Sequence, residues 1–259
     1  FSLRFPGISK KLERICSGIV PEKLIRVLSI PYRKCLLGNT EVLLEKLREI
    51  KLPSRKLYDI TYIKKAIKAK LDDTFAPSGL INIISVIHAI NKYKAILVSD
   101  VGTFRHYAVL FADTIKPGFF LTSAGSSSFG TGLPLGLGVG LAYAGKNTKI
   151  IILTGDGGFN STIGDLRTLK NLNLNIVIIV LNNDKNGLIN IYQQKGHGKS
   201  YSPSVAHAKA SFFKIAEGYN CKAFKASSSE ELEKILKEAF EIDSPVVVEL
   251  PVYYPEKYF

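Results

Sequence analysis

Methionine and tryptophan are both absent from the 259 residues. A translation product of this length with no Met, even at its start, departs from ordinary amino-acid usage, so the sequence is expected to belong to something about twice as long or to have lost residues. Cysteine is scarce. Cys16, Cys35 and Cys221 are odd in number, far apart and without a CxxC pair, so neither a disulfide framework nor a zinc or iron–sulfur site is expected. No uninterrupted apolar run reaches ~18 residues and no charged-then-apolar signal opens the chain, which argues against a transmembrane or secreted protein and makes the cytoplasm the expected compartment. Internal repeats and low-complexity tracts are also missing. With 46% apolar and 22% charged residues, the chain has the material for a substantial core, and disorder is excluded as its general state.

What is present first is positive charge. Lys and Arg total 35 against 22 acidic residues, a formal net charge of +13. The excess is uneven: residues 1–74 carry 17 basic and 8 acidic side chains, residues 75–259 carry 18 and 14. A basic balance suits an anionic partner in general. No aromatic-interleaved basic module accompanies it, so neither nucleic acid nor a membrane is expected, and the Lys-rich stretch 56–70 reads as a solvated face or linker.

From about residue 75 onward, apolar runs of strand length alternate with longer amphipathic stretches. Strands are expected at Ala95–Ser99, Gly118–Thr122, Lys149–Thr154, Asn175–Leu181 and Val246–Leu250. The third and fourth are β-branched and apolar on both faces, the composition of central strands in a parallel sheet covered by helices. Helices are expected at Leu133–Ala144, Ile163–Leu172, Ala206–Glu217 and Glu230–Phe240. The alternation predicts an α/β fold, a doubly wound parallel sheet with helices on both faces. Residues 1–51 hold one strand-like run, Leu24–Leu28, and one helix-like run, Val42–Ile50, too little to bury a core alone. They read as the end of another α/β domain, with 52–78 as a linker and 79–259 as the main domain.

The most informative motif is Gly155-Asp156-Gly157-Gly158-Phe159, directly after a buried strand, with 24 residues between Gly157 and the Asn182-Asn183 pair that ends the next. A Gly-Asp-Gly alone also makes an ordinary turn. At a strand end, however, the glycines let backbone N–H groups approach a phosphate closely. Asp156 then supplies a carboxylate oxygen and Asn183 an amide oxygen, a donor set suited to Mg²⁺ completed by phosphate and water. Both residues would stand at carboxyl ends of adjacent strands, where open α/β sheets bind ligands.

This pattern resembles the diphosphate-binding signature of thiamine diphosphate enzymes, and most closely the acetolactate synthase and pyruvate decarboxylase group, over residues 75–259. The resemblance implies Asp156, Asn183 and the backbone carbonyl of Lys185 as magnesium ligands. It also implies backbone contacts to the diphosphate from Gly155, Gly157 and Gly158, with Gly187 near the far end. Ser99-Asp100-Val101-Gly102-Thr103 resembles the family's DVG turn, which places Gly102, Thr103 and Phe104 on the other side of the diphosphate. Ser123 to Pro134 resembles the loop in which a large apolar side chain, here Phe129, sits under the bent cofactor, and in which a backbone carbonyl two residues earlier accepts from the aminopyrimidine. That earlier position is usually Gly and is Ser127 here. Tyr192-Gln193-Gln194 and Val246–Tyr253 are similar to the catabolic acetolactate synthase branch.

The resemblance identifies 1–51 with the end of the family's Rossmann-like middle domain and 79–259 with its diphosphate domain. The Glu that activates the pyrimidine belongs to a further domain, and no segment here has its context, so no catalytic side chain is expected in this chain. The implied function is a thiamine diphosphate and Mg²⁺ dependent 2-oxoacid decarboxylating carboligase taking pyruvate to acetolactate and CO₂. Plain decarboxylation of pyruvate, phosphonopyruvate or sulfopyruvate, or a non-catalytic cofactor-binding subunit, are the alternatives. The implied assembly is a homodimer or homotetramer, with the pyrimidine domain contributed by a neighbouring subunit. His106, His197 and His207 lack metal-ligand spacing and read as surface or packing residues, with His106 near the site.

Overall fold

Residues 75–198 and 205–255 are described by the computed structural model. The expected domain end over 1–51 and nearly all of the linker over 52–78 lie outside these described residues.

Continuous β-branched runs form the centre of the sheet. Strands β1 (Ile81–Asn82), β2 (Ile96–Ser99), β3 (Phe120–Thr122), β4 (Ile150–Gly155), β5 (Val177–Asn182), β6 (Lys222–Lys225) and β7 (Val246–Tyr253) are all parallel, in the spatial order β1-β7-β5-β4-β2-β3. β6 pairs the first half of β7 on the edge that β1 pairs near its end. Alternation along the central strands divides the core into two layers. Ile150, Ile152, Ile178 and Val180 point to one face; Ile151, Leu153, Ile179 and Leu181 point to the other.

Helices α3 (Gly132–Ala142), α5 (Asp165–Asn171) and α7 (Phe212–Gly218) cover the first face through Leu133, Leu166, Leu169, Phe212 and Ala216. Helices α1 (Ile83–Asn91), α2 (Thr103–Phe111) and α8 (Ser229–Ala239) cover the second through Ile84, Ile87, Tyr107, Phe111, Leu232 and Leu236. Ile151, Ile152, Ile178 and Ile179 are fully buried. At about 1.5–3 kcal/mol for each such side chain, apolar burial along β4 and β5 is a large stabilising contribution. Two further helices, the short α4 (Asp156–Ser161) and α6 (Gly187–His197), follow β4 and β5 directly. Among the described residues no helix is long and apolar enough to cross a membrane.

The α/β architecture expected from the alternation is the one observed, with corrections at element ends. The helix expected over Ala206–Glu217 begins only at Phe212, because Ser211 caps it: its hydroxyl accepts from the Lys214 N–H. The residues upstream are held elsewhere. Val205 O accepts from Asn186 N–H (2.8 Å), and His207 N–H donates to Asp184 O (2.8 Å). The strand expected from Gly118 starts at Phe120, since Gly118 turns with φ of +82°. Elements without a clear local pattern, β1, β6, α2, α4 and α6, emerge only in the structure.

A cavity at the carboxyl ends of the strands

A cavity of about 210 Å³ opens where β2, β4 and β5 end. The direction of the chain reverses there, since β3 lies on one side of β2 and β4 on the other, which is where open α/β sheets take ligands. All twelve residues singled out from the sequence line it. Gly102, Thr103 and Phe104 come from the turn after β2, and Ser127 and Phe129 from the loop after β3. Gly155 ends β4 and Asp156, Gly157 and Gly158 follow it; Asn183, Lys185 and Gly187 follow β5.

Asp156 opens α4 and is buried. Gly157 N–H donates to its Oδ1 (2.7 Å) and Lys185 N–H to its Oδ2 (3.1 Å), so the carboxylate ties the loop after β5 to the end of β4. Burial pushes the Asp156 carboxyl above its ordinary value, against the opposing pull of these amide N–H groups and of nearby His207. The space beside it is tight, most of all at Gly158. A side chain at Gly158 would strike Asp100 Oδ2, and one at Gly157 would come within 2.9 Å of Asn186 Oδ1.

The loop carrying Asn183 and Lys185 is shaped from behind. Asn182 donates from Nδ2 to Glu249 Oε1 (3.0 Å), and its Oδ1 accepts from the Asp184 N–H (3.1 Å), which holds Asp184 at φ of +51°. Glu249 is 7% exposed, and its other oxygen accepts from the Phe213 N–H (2.8 Å) at the start of α7.

Asp100, fully buried, organises the opposite wall. Its Oδ1 accepts from the N–H groups of Val101 (2.7 Å) and Thr131 (3.1 Å), and its Oδ2 from Gly130 N–H (3.1 Å) and Thr154 Oγ1 (2.9 Å). One carboxylate thereby joins the ends of β2 and β4 to the loop after β3. Sequence reading placed Asp100 in a resembling turn without giving it this part.

The chemistry of the lining suits an anion and a hard cation together. The N-termini of α2 and α6 border the cavity, and neither has a side-chain cap hydrogen bond, so backbone N–H groups and the positive end of each helix dipole meet there. Thr103 Oγ1 is buried on the same wall and has no hydrogen-bond partner among the described residues. Among the described residues no cluster of three His, Cys, Asp or Glu could hold a metal. A cation in this cavity would therefore meet one carboxylate, Asp156, and amide oxygens, a set that suits Mg²⁺ and leaves positions for phosphate and water. Its charge would offset the burial cost that raises the Asp156 carboxyl.

Sequence reasoning missed Tyr254, Asn186, Leu188 and Ile189 on the cavity wall. Burial first, and then the Asp156 charge, hold the Tyr254 phenol well above its ordinary value, so it presents a neutral hydroxyl. His207, read as surface or packing, is exposed, and its Nε2 lies 3.7 Å from where a side chain on Gly157 would begin. It gets there through the backbone pairing of 205–207 with 184–186, which no local pattern signals. Leu188 and Ile189 could have been found as the apolar pair following Gly187.

Comparisons with known proteins point the same way. Residues 100–250 match the family described as thiamine pyrophosphate enzyme, C-terminal TPP binding domain. The chain is 34% identical over 160 residues to the acetolactate synthase large subunit of Buchnera aphidicola subsp. Schlechtendalia chinensis, covering 62% of this chain and 28% of that protein. It is 30% identical over 219 residues to the mitochondrial acetolactate synthase of Schizosaccharomyces pombe, covering 81% of this chain and 32% of that protein. The chain thus spans about a third or less of these relatives' length. Among solved structures, a thiamine diphosphate-dependent 4-hydroxybenzoylformate decarboxylase from Rhodococcus jostii RHA1 shares the fold, with a TM-score of 0.67 and 20% identity over 86% of this chain and 41% of that one.

Proposed function

The chain belongs to the thiamine pyrophosphate enzymes, through their C-terminal TPP binding domain, and from that premise we propose that its cavity anchors the diphosphate and magnesium of the cofactor in an acetolactate synthase-like enzyme. The observation that carries this reading is the convergence of Asp156, Asn183, Lys185 and two uncapped helix N-termini on one cavity. Asp156, the Asn183 amide and the Lys185 carbonyl are assigned to Mg²⁺. The backbone N–H groups of Gly155, Gly157, Gly158, Gly102 and Gly187, with Thr103 and Phe104, are assigned to the diphosphate and its surroundings. Phe129, 56% exposed at the rim, is assigned to the underside of the cofactor, and Ser127 to its pyrimidine end.

When bound, thiamine diphosphate supplies the electron sink that lets a 2-oxoacid lose CO₂. This chain's residues bind and orient: Asp156 and Asn183 fix the metal end, the apolar wall of Phe104, Leu188 and Ile189 limits water, and Tyr254 keeps a proton on its oxygen. Among the described residues no Glu lines the cavity. The group that activates the pyrimidine is therefore assigned to a separate domain, from a neighbouring subunit of a homodimer or homotetramer, with 1–51 belonging to a middle domain and 52–78 linking it. Pyruvate is the proposed substrate and acetolactate the product, since both relatives described above are acetolactate synthases.

Calorimetric titration of the full-length protein with thiamine diphosphate and Mg²⁺ tests the site. Binding is expected to depend on Mg²⁺. Asp156→Ala is expected to weaken it by at least the 10- to 100-fold that loss of even an outer-shell partner costs a metal site. No binding by the intact protein overturns the reading. Product analysis with pyruvate separates acetolactate from acetaldehyde, and acetaldehyde alone makes the protein a decarboxylase.

A further inference from the structure

We propose that Arg105 is a positioning residue that clamps the turn 123–127 against the cavity and holds Ser127 in a backbone conformation that serine disfavours. The proposal rests on the cofactor reading of the cavity only for the choice of ligand. Ser127 has φ of +52°, in the left-handed region that glycine enters freely and a Cβ makes costly. Unlike Asn or Asp, serine is not among the residues that visit this region routinely. Ser127 is nevertheless on the cavity wall, and its side chain is exposed, so burial does not hold it there.

The third residue of α2 supplies the constraint. Arg105 Nη1 donates to Ser123 O (2.8 Å) and to Ser127 Oγ (3.3 Å), bridging the two ends of a five-residue turn. The other half of the same loop is anchored separately, by Asp100 on the Gly130 and Thr131 N–H groups and by Thr131 Oγ1 donating to Ser128 O (3.1 Å). Among the described residues, the only side-chain hydrogen bonds reaching 123–127 from outside the turn come from Arg105, and the guanidinium has no carboxylate partner. A turn fixed before the ligand arrives needs no ordering on binding, and that difference reads out as affinity.

The test uses the full chain, Arg105→Ala, Ser127→Gly and the double variant. Each is titrated calorimetrically with thiamine diphosphate and Mg²⁺, and amide exchange of 123–129 is followed without ligand. Arg105→Ala is expected to weaken Kd about tenfold, or about 1.4 kcal/mol, and to speed exchange in this turn while β4 and β5 exchange as before. Ser127→Gly supplies the background in which the turn needs no clamp, because glycine takes the conformation unaided, so adding Arg105→Ala to it is expected to cost less than about twofold further. The double variant recovers most of the loss for the same reason. Unchanged affinity and exchange in Arg105→Ala, a double variant no tighter than Arg105→Ala, or faster exchange across the whole domain each overturn the clamp. If the parent chain fails to bind thiamine diphosphate while Arg105→Ala still loosens the turn, the clamp stands and the cofactor reading falls.

Discussion

The two ends of the sheet are built by different rules. At the amino end the chain passes from helix to strand, and Lys94, Asn173 and Asn220 take left-handed conformations just past α1, α5 and α7. The turns after α5 and α7 are closed locally: Asn173 N–H donates to Lys170 O and Asn220 N–H to Glu217 O, which ends both helices cleanly. At the carboxyl end, Ser127 and Asp184 take the same conformation inside loops whose polar bonds reach far along the sequence. Thr154 meets Asp100 54 residues away, and Asn182 meets Glu249 67 residues away. The ends of α5 and α7 close their own hydrogen bonds. The carboxyl end is held from outside its loops by side chains, which leaves backbone N–H groups and the Thr103 hydroxyl facing the cavity.

If that division is right, damage to the strand bodies should cost stability without touching ligand affinity. Ile178 is fully buried in β5. Ile178→Ala is expected to destabilise the domain by about 2–5 kcal/mol, the range for truncating a buried aliphatic side chain to Ala. Urea unfolding checks the magnitude. The thiamine diphosphate Kd, measured where both proteins are folded, should not move; a matching loss of affinity would join the two regions into one.

The converse experiment takes Asp100, which belongs to the carboxyl end but is as buried as the core. Asp100→Asn keeps the shape and replaces one accepting oxygen with an NH₂ that faces N–H or O–H donors. A buried donor left unpaired costs about 1–3 kcal/mol, so a loss of about 2 kcal/mol is expected in urea unfolding. Unlike Ile178→Ala, it should also weaken thiamine diphosphate binding, because Asp100 anchors the Gly130–Thr131 half of the loop, next to Phe129. Weakened folding with unchanged binding would make Asp100 an ordinary core residue.

The same division marks what could be read from the sequence. Ile150–Leu153 and Val177–Leu181 are legible because β-branched apolar runs have few other destinations, and the parallel α/β sheet follows from them. The site is legible through chemistry: Asp156 and Asn183 stand out because glycines beside a carboxylate at a strand end suit a phosphate and a metal. The helix α4 is illegible, since Asp-Gly-Gly-Phe-Asn-Ser has the composition of a turn and is helical only in its tertiary setting. Helix α6 buries none of its residues and so offers no apolar stripe. The part played by Asp100, the Asn182–Glu249 pair and the approach of His207 all depend on which distant segment lies opposite, and no local pattern carries that information.

The smallest expected effect belongs to the amino end of α8, remote from the cavity. Ser228 Oγ accepts from Glu231 N–H (3.1 Å), and Glu231 Oε2 accepts from Ser227 N–H (2.8 Å), a reciprocal cap. Ser228→Ala should cost about 1 kcal/mol with no change in cofactor affinity. The Ser227 hydroxyl first, and then its backbone N–H, hold the Glu231 carboxyl below its ordinary value. A carboxyl lowered in the folded state contributes stability that is present above its ordinary, unfolded value and is lost as pH falls through the folded one. Glu231→Gln should therefore be slightly less stable than the parent chain at neutral pH, and the two should converge in acid. A difference that persisted or grew as pH fell would mean the Glu231 charge does not strengthen this cap, which follows the carboxyl end of β6 and is closed within its own turn.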